Sequence, residues 1–180
     1  MLRIIAGKYK FRKLKQPDQN ITRATTDKVR EAVFSSLQFK IIDKDCLDLF
    51  SGSGAWAIEA MSRDANSVQA IELDKKAFRI ILENIASVGE QNIHALNMEA
   101  LSYLVKTDRK FDFIFIDAPF KRFDLVNEAL EIIVSRNILN DDGEIIIETD
   151  QKKEIVLPEH LKVFKEKRHG RIDLLYVCKA

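Results

Sequence analysis

Residues 111–120 read FDFIFIDAPF, and this stretch decides the fold. It is an apolar run that stops at Asp117-Ala118-Pro119-Phe120. Upstream, residues 46–54 read CLDLFSGSG, a second apolar run that stops in a glycine loop. Short continuous apolar runs bounded by turn residues read as strands buried on both faces. Two such strands, each with polar chemistry at its C-terminal end, are what an open parallel sheet needs to build a ligand crevice. An acid, a turn and an aromatic at the second strand end suit an enzyme that handles a nucleobase amine.

Working outward, residues from 44 onward alternate between strand and helix patterns. The spacing predicts strands at 45–50, 67–73, 92–96, 111–117 and 143–148. Helices are predicted at 54–63, 75–88, 98–106 and 123–136. The 75–88 helix is the clearest, with Ala77, Phe78, Ile81, Leu82, Ile85 and Val88 as its buried stripe, Asp74 as its cap and Gly89 as its end. Strand–helix alternation with short connections implies βαβ units and a mostly parallel sheet. The tail, near 161–167 and 172–178, reads as an antiparallel hairpin turning at Arg168-His169-Gly170 and closing one sheet edge. Before the alternation, residues 2–15 read as a β-ribbon, and residues 26–38 as a helix with Thr25 or Thr26 as N-cap. The expected organisation is one domain over 1–180, with a basic appendage at 1–40 and a Rossmann-like core at 41–180.

The chain has 180 residues, 46% hydrophobic and 32% charged, enough for a substantial core. No stretch approaches the roughly 20 apolar residues of a membrane span. The N-terminus MLRIIAGKYK has neither the apolar core nor the cleavage site of a signal peptide. Cys46 and Cys178 sit inside apolar runs and read as buried thiols, so a cytoplasmic protein is expected. His94, His160 and His169 have no spacing suited to a metal or a catalytic triad. Nothing demands an oligomer, and a monomer is expected.

Net charge is +1, unevenly spread. Residues 1–30 hold nine Lys/Arg against two acids, a local +7, and residues 162–180 hold six against two, a local +4; the stretch between is therefore −10. Basic ends on an acidic middle suggest a polyanion on one face. At the N-terminus Tyr9 and Phe11 alternate with Lys8, Lys10 and Arg12, a mixture suited to stacking and phosphate contact.

At the first strand end, Gly52 and Gly54 let the backbone approach a ligand that a Cβ would displace. The third glycine of a dinucleotide fingerprint is missing, and a G-x-G spacing alone is weak. Glu72, at the end of the next strand, strengthens it, because a carboxylate there accepts both hydroxyls of a ribose. Asp48 separates ligands. An anion just before the glycine turn repels a pyrophosphate but orients a cationic amino group, which favours S-adenosylmethionine over NAD. Glu99, after the third strand, can bond an adenine amine or simply face the helix dipole. At the second strand end, Asp117 and the Ala118 carbonyl can accept the hydrogens of an exocyclic amine and hold it in line with a methyl sulfonium. Phe120 can stack on an extruded base, and Pro119 fixes the turn.

The ordered set Thr22-Arg23-Ala24-Thr25-Thr26-Asp27-Lys28-Val29-Arg30-Glu31, then LDLFSGSGAWAIEAMSR, Glu72 and IDAPF resembles the RsmD family of bacterial small-subunit rRNA guanine-N2 methyltransferases. RIIAGKYKFRKLK and HGRIDLLYVCK match it too, so the likeness spans nearly the whole chain. The resemblance implies a class I methyltransferase sheet in the order 3-2-1-4-5-7-6, with S-adenosylmethionine as donor and small-subunit rRNA or its assembly particle as substrate. It implies a cofactor site of Asp48, Phe50, Gly52, Ser53, Gly54, Glu72, Leu73, Glu99, Ala100 and Thr25, and a guanine site of Asp117, Ala118, Pro119 and Phe120. Lys8, Lys10, Arg12, Arg23 and Arg30 would contact RNA. The family usually has Pro at positions 24 and 118 and Gly at 57, where this chain has alanine. Ala118 keeps its carbonyl, but its turn gains freedom and an N–H donor. Three other readings stay open: a non-catalytic RNA-binding protein on a degenerate methyltransferase fold, a nicotinamide oxidoreductase, and a DNA adenine-amine methyltransferase.

Overall fold

The structure, a computed structural model, describes residues 2–17 and 27–180. A two-residue pairing of β1 (Leu2–Arg3) with β2 (Lys13–Leu14) comes first, followed by α1 (Asp27–Ser36). Then come β3 (Asp45–Asp48), α2 (Ala55–Ser62), β4 (Ser67–Glu72), α3 (Lys75–Val88), β5 (Ile93–Asn97) and α4 (Ala100–Lys106). β6 (Phe111–Ile116), α5 (Phe123–Ser135), β7 (Leu139–Thr149), β8 (Leu161–His169) and β9 (Ile172–Lys179) complete the chain.

One seven-stranded sheet runs β5-β4-β3-β6-β7-β9-β8. β5 to β7 pair parallel, and β9 lies antiparallel between β7 and β8. Counted from the first core strand, this order is 3-2-1-4-5-7-6. The strand order reverses between β3 and β6, whose C-terminal ends carry the two motifs.

The apolar run of β6 is explained by two cores, one on each face. Phe113 and Phe115 enter the cluster under α1 and α2, while Ile114 and Ile116 enter the cluster under α4 and α5. On the first face Trp56 packs between Phe34 and Phe115, with ring centroids 5.6 and 5.3 Å away. This aromatic wedge fixes α1 and α2 over the strand end that carries the glycine turn. α3 behaves as its ends predict: Asp74 accepts the Ala77 N–H at 2.8 Å, and Gly89, at φ +73°, closes the helix.

The structure corrects several expectations. The β-ribbon expected over 2–15 is shorter: Leu2 and Arg3 pair with Leu14 and Lys13, Ile4 still bonds across to Phe11 and Arg12, and the chain turns around Gly7 at φ +86°. A Cβ there would lie 1.9 Å from the Ser62 carbonyl oxygen. That closeness lets the Lys8 N–H reach the Ser62 carbonyl, and the Tyr9 N–H reach Ser62 Oγ, each at 2.9 Å. β7 begins at Leu139, not 143, because Leu139 pairs with Phe111 across a register shift. Leu82 is exposed, and Asn84 takes a buried place on α3 instead. Cys46 is buried and Cys178 only partly so. The expected caps Thr25 and Thr26 lie outside the described residues.

Candidate active site

The glycine turn begins where β3 ends. Ser51 N–H bonds the Ile71 carbonyl at 2.9 Å, Gly54 N–H bonds the Ser51 carbonyl at 2.9 Å, and Gly52 and Gly54 take φ +58° and +82°. A Cβ on Gly54 would press Ile81 of α3 at 3.3 Å, so the turn is packed tightly onto the helix behind it. Glu72, at the end of β4, accepts the Gly52 N–H at 2.7 Å on one carboxylate oxygen and the Asp74 N–H at 2.9 Å on the other. Its carboxylate therefore sets the height of the glycine turn and the start of α3. Burial raises the Glu72 pKa, and these two N–H donors pull it back.

Asp48 is buried behind the turn, 3% exposed, and accepts the Ser51 hydroxyl at 2.7 Å. Burial pushes its carboxyl up to about 7; the Ser51 bond opposes this, and the charges of Asp117 and Glu72 add to it. Three carboxylates thus converge on one end of the sheet, a field that favours a cationic ligand.

The turn after β6 closes with the Arg122 N–H on the Pro119 carbonyl at 3.0 Å. Lys121 takes φ +58° within it, and Arg122 forks onto Asp124 at 3.0 and 3.1 Å. Phe120 stands out at the tip, 59% exposed, with the Lys121 ammonium 5.2 Å from its ring centroid.

These strand ends share one cavity of about 210 Å³. Phe50, Gly52, Ser53, Glu72, Leu73, Glu99, Ala100, Asp117, Ala118 and Pro119 all line it. Asp48 and Gly54 do not; they stand behind the wall as supports. Phe120 lies outside it, beyond Pro119. Glu99 is the N-cap residue of α4 without a side-chain capping bond, which leaves its carboxylate on the cavity side. Thr25 and Arg23 lie outside the described residues.

Arg30 must be reassigned. Its side chain is fully buried, bonded to Asp27 at 2.9 Å and to the Arg3 carbonyl, with Glu59 3.7 Å away. It cannot reach an RNA phosphate. Glu59 also accepts the Ile5 and Ala6 N–H groups at 2.9 and 3.2 Å and pairs with Arg63 at 3.0 Å. Arg30 therefore belongs to a buried charge cluster that fastens the N-terminal segment to α2. Lys8, Lys10 and Arg12 stay near the surface: Lys8 faces Glu90 at 3.5 Å, Lys10 covers the Phe11 ring, and Arg12 bonds the Ser87 carbonyl at 3.2 Å. Phe11 is 67% exposed, but Tyr9 is packed down, its hydroxyl bonded to Glu90.

Sequence reasoning missed other parts of the wall: Leu2, Gln16 and Pro17 from the N-terminal segment, Trp56, Met98 and Leu101 around α2 and α4, and Arg122 and Leu125. Met98 and Leu101 flank Glu99-Ala100 and were within reach of the motif. The N-terminal residues carry no local signal and arrive only through folding. Asn84, also missed, holds them there. Its amide donates to the Lys15 and Ser53 carbonyls at 2.9 and 2.8 Å, and its oxygen accepts the Lys15 N–H at 2.8 Å. Among the described residues no group of His, Cys, Asp and Glu could hold a metal ion, and no helix is long and apolar enough to cross a membrane.

The family model described as conserved hypothetical protein 95 matches residues 2–178. The chain is 34% identical over 172 residues to the Escherichia coli (strain K12) protein named ribosomal RNA small subunit methyltransferase D, covering 95% of this chain and 86% of that one. It is 35% identical over 162 residues to the Bacillus subtilis (strain 168) putative rRNA methyltransferase YlbH, covering 88% and 86%. Among solved structures, the putative methyltransferase yhhF from Escherichia coli superposes with a TM-score of 0.89 at 32% identity, covering 99% of this chain and 98% of that one. The putative methylase HI0767 from Haemophilus influenzae does so at 0.83 and 31%, covering 98% and 97%. With the family model matching residues 2–178 and relatives 34% identical over most of both chains, the chain belongs to the RsmD family of methyltransferases.

Proposed function

We propose that the protein transfers the methyl group of S-adenosylmethionine to the exocyclic N2 amine of a guanine in small-subunit rRNA. The observation that carries this reading is the single cavity joining the glycine turn, Glu72 and Glu99 to Asp117-Ala118-Pro119. A fold alone does not settle chemistry; a donor site and an amine site opening into one space narrow it to group transfer. The names of the relatives in Escherichia coli and Bacillus subtilis support rRNA as the acceptor class.

The cavity residues fit the donor. Glu72 has lone pairs left for ribose hydroxyls after taking two N–H groups, and Glu99 faces the cavity as an acceptor for an adenine amine. Phe50, Leu73, Ala100 and Leu101 supply apolar wall, and Gly52 and Ser53 keep the backbone low against the ligand. Asp48 offers its charge to the ligand's amino group through the turn. S-adenosylmethionine, when bound, supplies a methyl group on a positively charged sulfur.

The remaining work falls to the second strand end. A guanine amine is a poor nucleophile because its lone pair is delocalised into the ring. The Asp117 carboxylate and the Ala118 carbonyl accept its two hydrogens and aim the lone pair at the methyl carbon. One of those protons leaves the nitrogen as the N–C bond forms, and Asp117 is the acceptor on that side. Phe120, exposed just outside the cavity, stacks on the extruded base. Lys8, Lys10 and Arg12 meet phosphates on the appendage. The protein acts as a monomer in the cytoplasm.

Replacing Asp117 by Ala tests this assignment. Turnover on small ribosomal subunits should fall by at least ~100-fold, the scale of a lost positioning and proton-accepting group, while calorimetry still detects S-adenosylmethionine binding. Normal turnover by the Asp117→Ala protein would remove Asp117 from the chemistry.

A further inference from the structure

The edge strand β8 carries a second cluster that the cavity does not use. Lys165 lies in register with Tyr176 and Lys167 with Leu174, and both partners belong to the core under α1, so the two lysines lie on the α1 face. The register shift between Val163 and Lys165 places Phe164 on that face too, its ring 6.3 Å from Tyr176. Lys40, in the loop after α1, holds its ammonium 5.7 Å from the Phe164 ring centroid, and its neighbour Phe39 is 81% exposed. Lys167 and Lys40 both depress the Lys165 pKa, after burial, so the three ammonium groups feel one another. The nearby acids are spoken for. Glu144 is buried against Lys40 at 3.0 Å, Glu166 binds Lys152 at 2.9 Å, and Asp173 is buried beside Arg168 at 3.5 Å.

Lysines on an edge strand commonly guard it against pairing with another sheet. That accounts for Lys165 and Lys167 but not for two exposed phenylalanines among them, which make an edge stickier. Aromatic faces beside Lys165 and Lys167, which have no ion-pair partner among the described residues, are what a single-stranded nucleic acid takes up, bases on rings and phosphates on ammonium groups. Leu2, Ile4 and Leu14 of the appendage join the same core cluster as Tyr176, so both basic regions lie on one side of the sheet.

We infer that Phe39, Lys40, Phe164, Lys165 and Lys167 form a second RNA-contacting surface, which holds a single-stranded segment of the substrate away from the cavity. This rests on rRNA being the substrate. It makes the protein a two-point reader, with one contact on the appendage and one on the β8 face.

Filter binding of transcribed small-subunit rRNA across a salt series tests it, alongside S-adenosylmethionine calorimetry and melting. The Lys165→Glu/Lys167→Glu protein should bind at least about tenfold more weakly, with a slope of log K against log salt lower by about 1.4, the value for two lost single-strand phosphate contacts. The Phe39→Ala/Phe164→Ala protein should lose at least about 30-fold at unchanged slope, as two lost base stacks do. Lys165→Arg/Lys167→Arg should restore the slope, and donor binding should be unchanged throughout. Wild-type affinity and slope in both variants, with the parent binding rRNA normally, would overturn the surface and leave the substrate standing. A loss seen only with assembled subunits would assign the face to a ribosomal protein and overturn the RNA contact. A parent that binds neither transcribed rRNA nor small ribosomal subunits would remove both the surface and the substrate reading.

Discussion

Asn84→Leu is the most informative single change. Asn84 sits 2% exposed on the buried stripe of α3, and all its bonds go to backbone groups of two distant segments: Lys15 N–H, Lys15 carbonyl and Ser53 carbonyl. Leucine fills the same space and offers none of them. A buried backbone group left without a partner costs about 1–3 kcal/mol. Lys15 is an exposed residue, so water recovers most of its two groups, whereas Ser53 faces the helix. The sum is a loss of about 2–4 kcal/mol, a large part of the roughly 5–15 kcal/mol that a domain possesses. With a urea slope of about 2 kcal/mol/M, the midpoint should fall by about 1–2 M at unchanged slope. The same bonds hold Ser53 and the Gln16-Pro17 wall against the cavity, so affinity for S-adenosylmethionine, read by calorimetry well below the melting point, should weaken by about tenfold, the equivalent of one lost hydrogen bond. A midpoint within a few tenths of a molar of the parent and unaltered donor affinity would refute the idea that Asn84 couples the N-terminal segment to the glycine turn.

Gly7→Ala places a Cβ 1.9 Å from the Ser62 carbonyl oxygen at a φ of +86°, so the segment must lift off α2, and denaturation should show a loss of at least ~2 kcal/mol from the left-handed strain and the broken contacts. Asp48, pushed up to about 7 by burial, binds its proton more tightly folded than unfolded; the stability this contributes is complete below about pH 4 and is lost as pH rises towards 7. A cationic ligand needs the charged form, so calorimetry should find donor affinity rising from about pH 6 to pH 8, and Asp48→Asn should flatten that rise; a flat profile in the parent would separate Asp48 from the ligand. Phe120→Ala removes a ring that lies outside the cavity, so KM for rRNA should rise about tenfold, as loss of one base stack does, while donor affinity is unchanged; a changed donor affinity would place the ring on the wrong substrate.

Much of the fold was legible because β3 and β6 are buried on both faces, and burial on both faces removes the alternation that would otherwise disguise a strand. α3 was legible from its ends, since Asp74 and Gly89 perform capping that depends on their own backbone. Its buried stripe was less so. Periodicity ranks positions by residue type, and it preferred Leu82 to Asn84, whose burial is made tolerable only by backbone groups brought in from elsewhere. The early start of β7 was hidden by Asn140-Asp141-Asp142-Gly143, which reads as a turn and bulges between the Leu139–Phe111 and Glu144–Phe113 pairs.

The candidate site divides along the same line. Most residues expected from the strand–turn motifs line the cavity, because a parallel sheet delivers strand ends to one place. Gln16 and Pro17 were not, because their position depends on Asn84 and on the Glu59 carboxylate. Arg30 was misread for the complementary reason: a basic run shows charge, but Glu59, the buried carboxylate beside this guanidinium, lies on another helix. Local charge counts cannot tell a neutralised cation from a free one.

The measurement that tests the central claim most directly is methyl transfer itself. The purified protein is incubated with methyl-labelled S-adenosylmethionine and small ribosomal subunits from a strain lacking this modification, and the rRNA is digested to nucleosides. The account predicts label in one guanosine, on the N2 amine, and none with the Asp117→Ala protein. Label on another base or on protein, or no label although the protein binds the donor and a second family member modifies the same subunits, would contradict it.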